Sequence, residues 1–218
     1  MIKIYNLTKL YRTGQGTVTA VDHISLEIDD HSYVSIVGKS GSGKSTFLHL
    51  LGGLDLPDEG KVVIDGIDLT KLNARGLDDF RRDRIGFVFQ FFNLIPELTV
   101  RENILFPTMF QKNKNDKSFY GDLINLIGLS GREEHLPCQL SGGEQQRVAI
   151  ARAVILKPRY LFMDEPCGNL DSESTYVVID LLDRLYKPTD MTIIVLTHDA
   201  DMANAAPLGV TISDGRLV

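Results

Sequence analysis

The sequence has 218 residues, 43% hydrophobic and 24% charged, an ordinary globular composition with enough apolar material for a sizeable core. Its 23 Lys and Arg against 29 Asp and Glu leave a formal net charge of −6, which disfavours nucleic acid as a partner, because binding a phosphate backbone needs a basic surface. No run approaches the ~18 consecutive apolar residues of a spanning helix, so the expectation is a soluble, cytoplasmic chain, and any work on a membrane would have to pass through a partner.

In chain order, the first residues alternate like a strand and lack the apolar run of a signal peptide. Strands are expected over 2–5, 18–28 and Tyr33–Val37, separated by turns at 13–16 and 29–30. A glycine loop and a helix over 46–52 follow, then a turn at 57–60, a strand over 61–64 and a turn at Asp65-Gly66. A charged helix over 77–84 leads into a strand over 85–90. From Phe91 to about Leu140 the periodicity is helical, broken by a polar segment at 111–117, which reads as a helical insertion. Beyond it the pattern is a helix (144–156), a buried strand (160–163), a helix (Ser172–Tyr186) and a second buried strand (192–196). Short apolar runs alternating with helices predict a parallel sheet covered on both faces.

Gly38-Lys39-Ser40-Gly41-Ser42-Gly43-Lys44-Ser45 fits G-x-x-x-x-G-K-[ST], followed by Thr46. The glycines let successive amides face inward as a nest for anionic oxygens, and the helix that follows adds its positive end. Lys44 is suited to the β- and γ-phosphates and Ser45 to a Mg²⁺ ion. The loop lies between a strand and a helix, the context that a phosphate cradle requires.

Tyr160-Leu-Phe-Met-Asp164-Glu165 ends a buried strand with two carboxylates, at the sheet edge where ligands of parallel sheets sit. Asp164 is suited to Mg²⁺, and Glu165 to taking a proton from an attacking water. His198 ends the next buried strand, a place that suits either a structural histidine or one that hydrogen-bonds the γ-phosphate and that water. His23, His31, His49 and His135 have no such setting and read as structural. Cys138 and Cys167 read as free thiols of a reducing compartment and as small buried fillers.

Leu140-Ser141-Gly142-Gly143-Glu144 precedes a long helix. Ser141 and Glu144 have capping-box spacing, so this is a second helix N-terminus and a second anion site. One nucleotide does not need two such sites from one chain, but two chains placed head to tail could each offer the second site to the other. A simple cap accounts for Ser141 and Glu144 and leaves the two glycines unexplained.

With these motifs in this order, the chain resembles, over essentially its whole length, the nucleotide-binding subunit of ATP-binding cassette (ABC) transporters. The resemblance implies an α/β fold: a P-loop NTPase domain with a parallel core sheet, an N-terminal antiparallel β part and an inserted α-helical subdomain. It implies a RecA-like core with its β subdomain over 1–90 and 150–218, and the helical subdomain over 91–149. By the same resemblance, Gly38 to Ser45 is the Walker A loop and Tyr160 to Asp164 is Walker B. Glu165 matches the catalytic glutamate, Gln90 the Q-loop residue that also reaches the metal, Leu140 to Glu144 the signature, Asp171 the D-loop and His198 the switch histidine. Tyr11 matches the aromatic that stacks on adenine. ATP and Mg²⁺ are the implied cofactors. The implied partners are a second copy, in an ATP-dependent head-to-tail homodimer, and an integral membrane permease, with the chain peripheral on the inner face of the cell membrane.

Phe87-Val-Phe-Gln-Phe-Phe-Asn-Leu-Ile-Pro96, Glu97-Leu-Thr-Val-Arg-Glu-Asn103 and Gly168-Asn-Leu-Asp171 are similar to the lipoprotein-releasing and macrolide-exporting group. A cell-division ATPase that signals to a membrane partner without moving a substrate is the alternative. Chromosome-structuring relatives carry long coiled coils, translation-associated relatives carry two cassettes, and a P-loop kinase has no use for Leu140 to Glu144. Cys167 departs from the family, which usually has Thr or Ser there, and modestly altered turnover is expected, since a thiol donates weakly beside a hydroxyl.

Overall fold

The computed structural model describes residues 1–14, 16–110 and 117–218. Most of the expected turn at 13–16 is therefore described, while the polar segment at 111–117 lies outside the described residues except for Lys117.

Two sheets form the frame. In the first, β1 (Ile2–Thr13) pairs antiparallel with β2 (Gly16–Ile28) on one side and with β4 (Glu59–Ile64) on the other, and β5 (Ile67–Asp68) closes the edge. The first strand runs eight residues past the expected Tyr5. Its alternation fails there because Asn6 takes a φ of 45° and the register shifts between Ile4 and Leu7. The bulge re-aims the side chains, so that Leu7 and Thr8 are both buried although they are neighbours.

The second sheet has the order β10 (Arg216–Leu217), β9 (Leu208–Ser213), β3 (Tyr33–Val37), β8 (Thr192–Thr197), β7 (Tyr160–Asp164) and β6 (Ile85–Val88). Its neighbours from β9 to β6 are parallel, and only the β9–β10 hairpin is antiparallel. Tyr160 to Met163 and Ile193 to Leu196 are fully buried, as central strands covered on both faces must be. β6 stops at Val88, two residues before the expected end, so that Gln90 leaves the sheet and reaches the cleft described below.

Two apolar clusters sandwich this sheet. One joins β1, β2 and β4 to α1 (Lys44–Leu51) and α2 (Ala74–Arg84) through Ile4, Val21, Phe47, Leu77 and Phe162. The other packs α3 (Val100–Leu105), α4 (Lys117–Leu126), α5 (Gly142–Val154), α6 (Ser172–Tyr186) and α7 (Ala200–Ala205) through Ile104, Leu123, Val148, Leu182 and Met202. α2 begins three residues before the expected Leu77, because Asn73 Oδ1 accepts from the Gly76 N–H at 2.8 Å and caps the first turn. Among the described residues from 91 to 141 there is no strand, and that stretch is the helical insert. Also among the described residues, no helix is long and apolar enough to cross a membrane.

One of the two thiols differs from the expectation of buried fillers. Cys167 is buried, and burial pushes its pKa up to about 12. Cys138 is exposed, because it lies in a single 3₁₀ turn (Pro137–Gln139) on the surface rather than on an element that packs into the core.

Candidate active site

The cradle springs from the end of β3 and closes on the first turn of α1. Gly43 is the N-cap of α1 with φ 96°, and no side chain caps the helix. A Cβ there would stand 2.0 Å from the Ala20 carbonyl oxygen on β2, and one at Gly38 would stand 2.2 Å from that of Ile212 on β9. Only glycine admits this approach, so the loop is held from both sides; within it the Ser42 N–H donates to the Lys39 carbonyl at 3.2 Å.

Lys44 is 6% exposed, and its Nζ donates to the carbonyl oxygens of Gly38 (2.7 Å) and Lys39 (3.1 Å). The same Nζ lies 3.7 Å from Glu165 Oε1. The Ser45 hydroxyl donates to Asp164 Oδ1 at 3.1 Å. Burial pushes the Asp164 carboxyl above the usual carboxylate range, and the Ser45 hydroxyl offsets part of that shift.

Asp164 and Glu165 lie at the carboxyl end of β7, beside Leu196 on β8. Glu165 adopts φ 49°, with its N–H donating to the Leu196 carbonyl at 2.9 Å. A non-glycine residue in that region is strained, and such strain collects where a side chain must be aimed. Glu165 Oε2 accepts from the His198 N–H at 3.2 Å and stands 2.8 Å from His198 Nδ1. An ionised carboxylate only accepts, so Nδ1 carries the proton and, in the neutral ring, Nε2 is left as the acceptor.

Most of these groups surround one cleft of about 740 Å³, lined by the cradle from Lys39 to Thr46, by Tyr11, and by Gln90, Glu165 and His198; Gly38 and Asp164 are not in its lining, Asp164 reaching it through Ser45. Tyr11 is 39% exposed, and its hydroxyl donates to Asp55 Oδ2 at 2.9 Å. None of Ser141, Gly142, Gly143, Glu144 or Asp171 lines this cleft.

Ser141 and Glu144 form the capping box that their spacing predicts. Ser141 Oγ accepts from the Glu144 N–H at 3.3 Å, and Glu144 Oε2 accepts from the Ser141 N–H at 2.8 Å. Burial raises the Glu144 carboxyl, but the bonds from Ser141 and the nearby Arg132 guanidinium outweigh it and hold the group below its ordinary range. Asp171 caps α6 in turn, its Oδ1 accepting from the Ser174 N–H at 2.7 Å. Gly143 has a packing reason to be glycine, since a Cβ there would stand 2.6 Å from Ser174 Oγ. Gly142 has none, its nearest neighbour standing 3.6 Å away.

Sequence reasoning missed the side chains that hold the Gln90 segment. Asn169 Nδ2 donates to the Gln90 carbonyl at 3.2 Å. The Arg152 guanidinium donates to the carbonyls of Phe92 (2.9 Å) and Asn93 (2.6 Å), tying α5 to that loop. Arg152 is the one charge in the apolar run 148–156, which was the available signal. Asn169 and Asp55 sit in polar turns and carried none.

The family model described as ABC transporter matches residues 21–168. The chain belongs to this family. Among its relatives, this ABC protein is 44% identical to the lipoprotein-releasing system ATP-binding protein LolD of Syntrophotalea carbinolica, covering 100% of this chain and 96% of that one. It is 42% identical to the macrolide export ATP-binding/permease protein MacB of Rhodopirellula baltica, where the match covers 99% of this chain and 32% of the longer relative. Its structure is similar to the dimeric post-hydrolysis state of the ATP-binding cassette MJ0796 bound to ADP and Pi, with a TM-score of 0.91, 39% identity, and 100% and 96% of the two chains covered.

Proposed function

We propose that the chain is the ATP-hydrolysing subunit of a transporter of the lipoprotein-releasing or macrolide-exporting kind, and that two copies close head to tail over two ATP molecules. One observation carries this reading: the cleft holds the cradle, Glu165 and His198 of a chain but neither its Ser141 segment nor its Asp171. A second copy facing the first would present its Ser141, Gly142 and Gly143 to the γ-phosphate.

The triphosphate lies on the cradle amides and the adenine on Tyr11. Lys44 exchanges the Gly38 and Lys39 carbonyls for β- and γ-phosphate oxygens, which are stronger acceptors for an ammonium. Ser45, Asp164 and Gln90 offer hydroxyl, carboxylate and amide oxygens, the hard donors that Mg²⁺ selects, and the bond between Ser45 and Asp164 brings two of them together. When bound, that ion neutralises charge building up between the β- and γ-phosphates. Glu165, aimed by its backbone and held by His198, accepts the proton of the water that attacks the γ-phosphorus. The bond from that phosphorus to the bridging oxygen breaks, leaving ADP and phosphate.

Gln90 links this centre to the helical subdomain over 91–149, which carries the motion to a membrane permease on the cytoplasmic face. The cargo is chosen by that partner. Changing Glu165→Gln keeps the size and removes the base, so hydrolysis falls by about 10²–10⁴-fold while ATP still closes the pair. Size-exclusion chromatography with ATP tests this: a trapped dimer is expected, and a monomer with normal turnover would overturn the assignment.

A further inference from the structure

The cleft is anchored at its base-binding end as well as at the cradle, and both anchors are tied to one helix, α1. Across 44 residues of sequence, the Tyr11 hydroxyl on β1 meets Asp55, in the loop that leaves α1. Asp55 Oδ1 accepts from Lys9 Nζ at 3.0 Å and from the Leu56 N–H at 2.7 Å, while Lys9 Nζ also donates to the Leu56 carbonyl at 2.6 Å. Lys9 and Tyr11 are two apart on the strand, on either side of a register shift between Lys9 and Leu10, and the ammonium lies 5.5 Å from the tyrosine ring centroid. The amides of Leu54 and Asp55 donate to the His49 carbonyl at 2.8 and 3.3 Å, so the loop is tied to the last turn of α1. The aromatic ring is thereby fastened to the far end of the helix whose first turn holds the phosphates.

We propose that Asp55, braced by Lys9, is a positioning residue for the nucleotide base: it locks the Tyr11 ring at a set distance from the cradle before the nucleotide arrives. The proposal rests on the reading that the base stacks on Tyr11. An unlatched tyrosine on this exposed edge samples several rotamers, and ordering it would subtract from binding. The latch orders it in advance, so a nucleoside triphosphate gains over a bare polyphosphate that uses only the cradle. Asp55 is suited to the task because its carboxylate accepts on both oxygens at once, one from the ring hydroxyl and one from Lys9.

The test compares Mg·ATP with Mg·tripolyphosphate by calorimetry on the full chain. Tyr11→Phe and Asp55→Ala are each expected to weaken ATP binding about three- to tenfold, the worth of one such hydrogen bond, and to leave tripolyphosphate unchanged. The double variant binds ATP no more weakly than the weaker single, and Asp55→Asn, which keeps an acceptor, recovers most of the affinity. In steady-state hydrolysis KM rises while kcat holds. Equal losses for both ligands after Asp55→Ala, with none after Tyr11→Phe, would make Asp55 a support for α1 and overturn the latch. Tyr11→Ala separates the two levels. If it weakens ATP while Tyr11→Phe and Asp55→Ala do not, stacking stands and the latch falls; if it spares ATP, stacking fails and the latch with it.

Discussion

The N-termini of α1 and α5 are both glycine-rich, α1 following its glycines and α5 beginning with them, and they are finished differently. At α1 the N-cap is a left-handed glycine with no side-chain cap, so the first-turn amides have no internal partner. At α5 the capping box of Ser141 and Glu144 occupies the amides of those two residues from within, so the amides of Gly142 and Gly143 are what this end can offer. Both ends have the dipole that attracts an anion, but the first offers the larger set of donors. On the proposed reading the first holds a chain's own phosphates, and the second, away from that cleft, suits a group that acts on a partner's nucleotide.

Exchanging glycines is the harshest way to break this comparison. Gly43→Ala forces a left-handed alanine against the Ala20 carbonyl, and strain plus clash exceed ~3 kcal/mol, so ATP affinity should fall by at least about 100-fold. Gly142→Ala makes only ordinary contact with Leu170 and Phe92 and gains helix propensity, so it should stabilise the chain by about 0.5 kcal/mol and leave single-chain ATP affinity unchanged, while dimer-dependent hydrolysis drops. Calorimetry and thermal melts on the pair check both. Equal effects at the two sites would erase the distinction between the two ends.

Ser141→Ala sharpens the contrast at smaller cost. Losing the cap removes about 1 kcal/mol of stability. Affinity of one chain for ATP should be unchanged, and ATP-dependent dimerisation, followed by light scattering, should require more nucleotide. Weaker ATP binding to the isolated monomer would place Ser141 in its own chain's cleft.

The mildest effect is at the thiols, one exposed and one buried near Glu165. With its pKa pushed up to about 12, Cys167 is about one part in a thousand thiolate at pH 9. A thiol reagent should therefore label one cysteine per native chain, Cys138, and two in denaturant. Cys167→Thr restores a hydroxyl and should change turnover by less than about threefold. Rapid native labelling of a second thiol would show that the packing around Cys167 opens in solution.

Much of this was legible because it is local. The cradle, the carboxylates closing β7, His198 after β8 and the capping box are short runs whose chemistry depends on neighbouring residues. Tyr33–Val37 and Ser172–Tyr186 match their expected bounds because burial on both faces and a clear helical period leave no competing pattern. The boundaries moved where a distant contact decided them, as where β6 ends early and Gln90 turns into the cleft. β9, β10 and α7 were not anticipated: β10 is a two-residue strand, β9 is placed by pairing with β3 and β10, and α7 by packing against β3 and β8.

What the sequence alone determined is the inventory of reacting groups and the alternation of strands and helices, since both follow from residue type and period. Tertiary structure decided which groups meet: Ser45 with Asp164, Glu165 with His198, Tyr11 with Asp55, Arg152 with the loop after Gln90. It also set the two signature glycines apart, one crowded by Ser174 and one in ordinary contact with Leu170 and Phe92. Such pairings join residues 33 to 119 positions apart in the chain, and their geometry comes from sheet order and bulges, which no local pattern encodes.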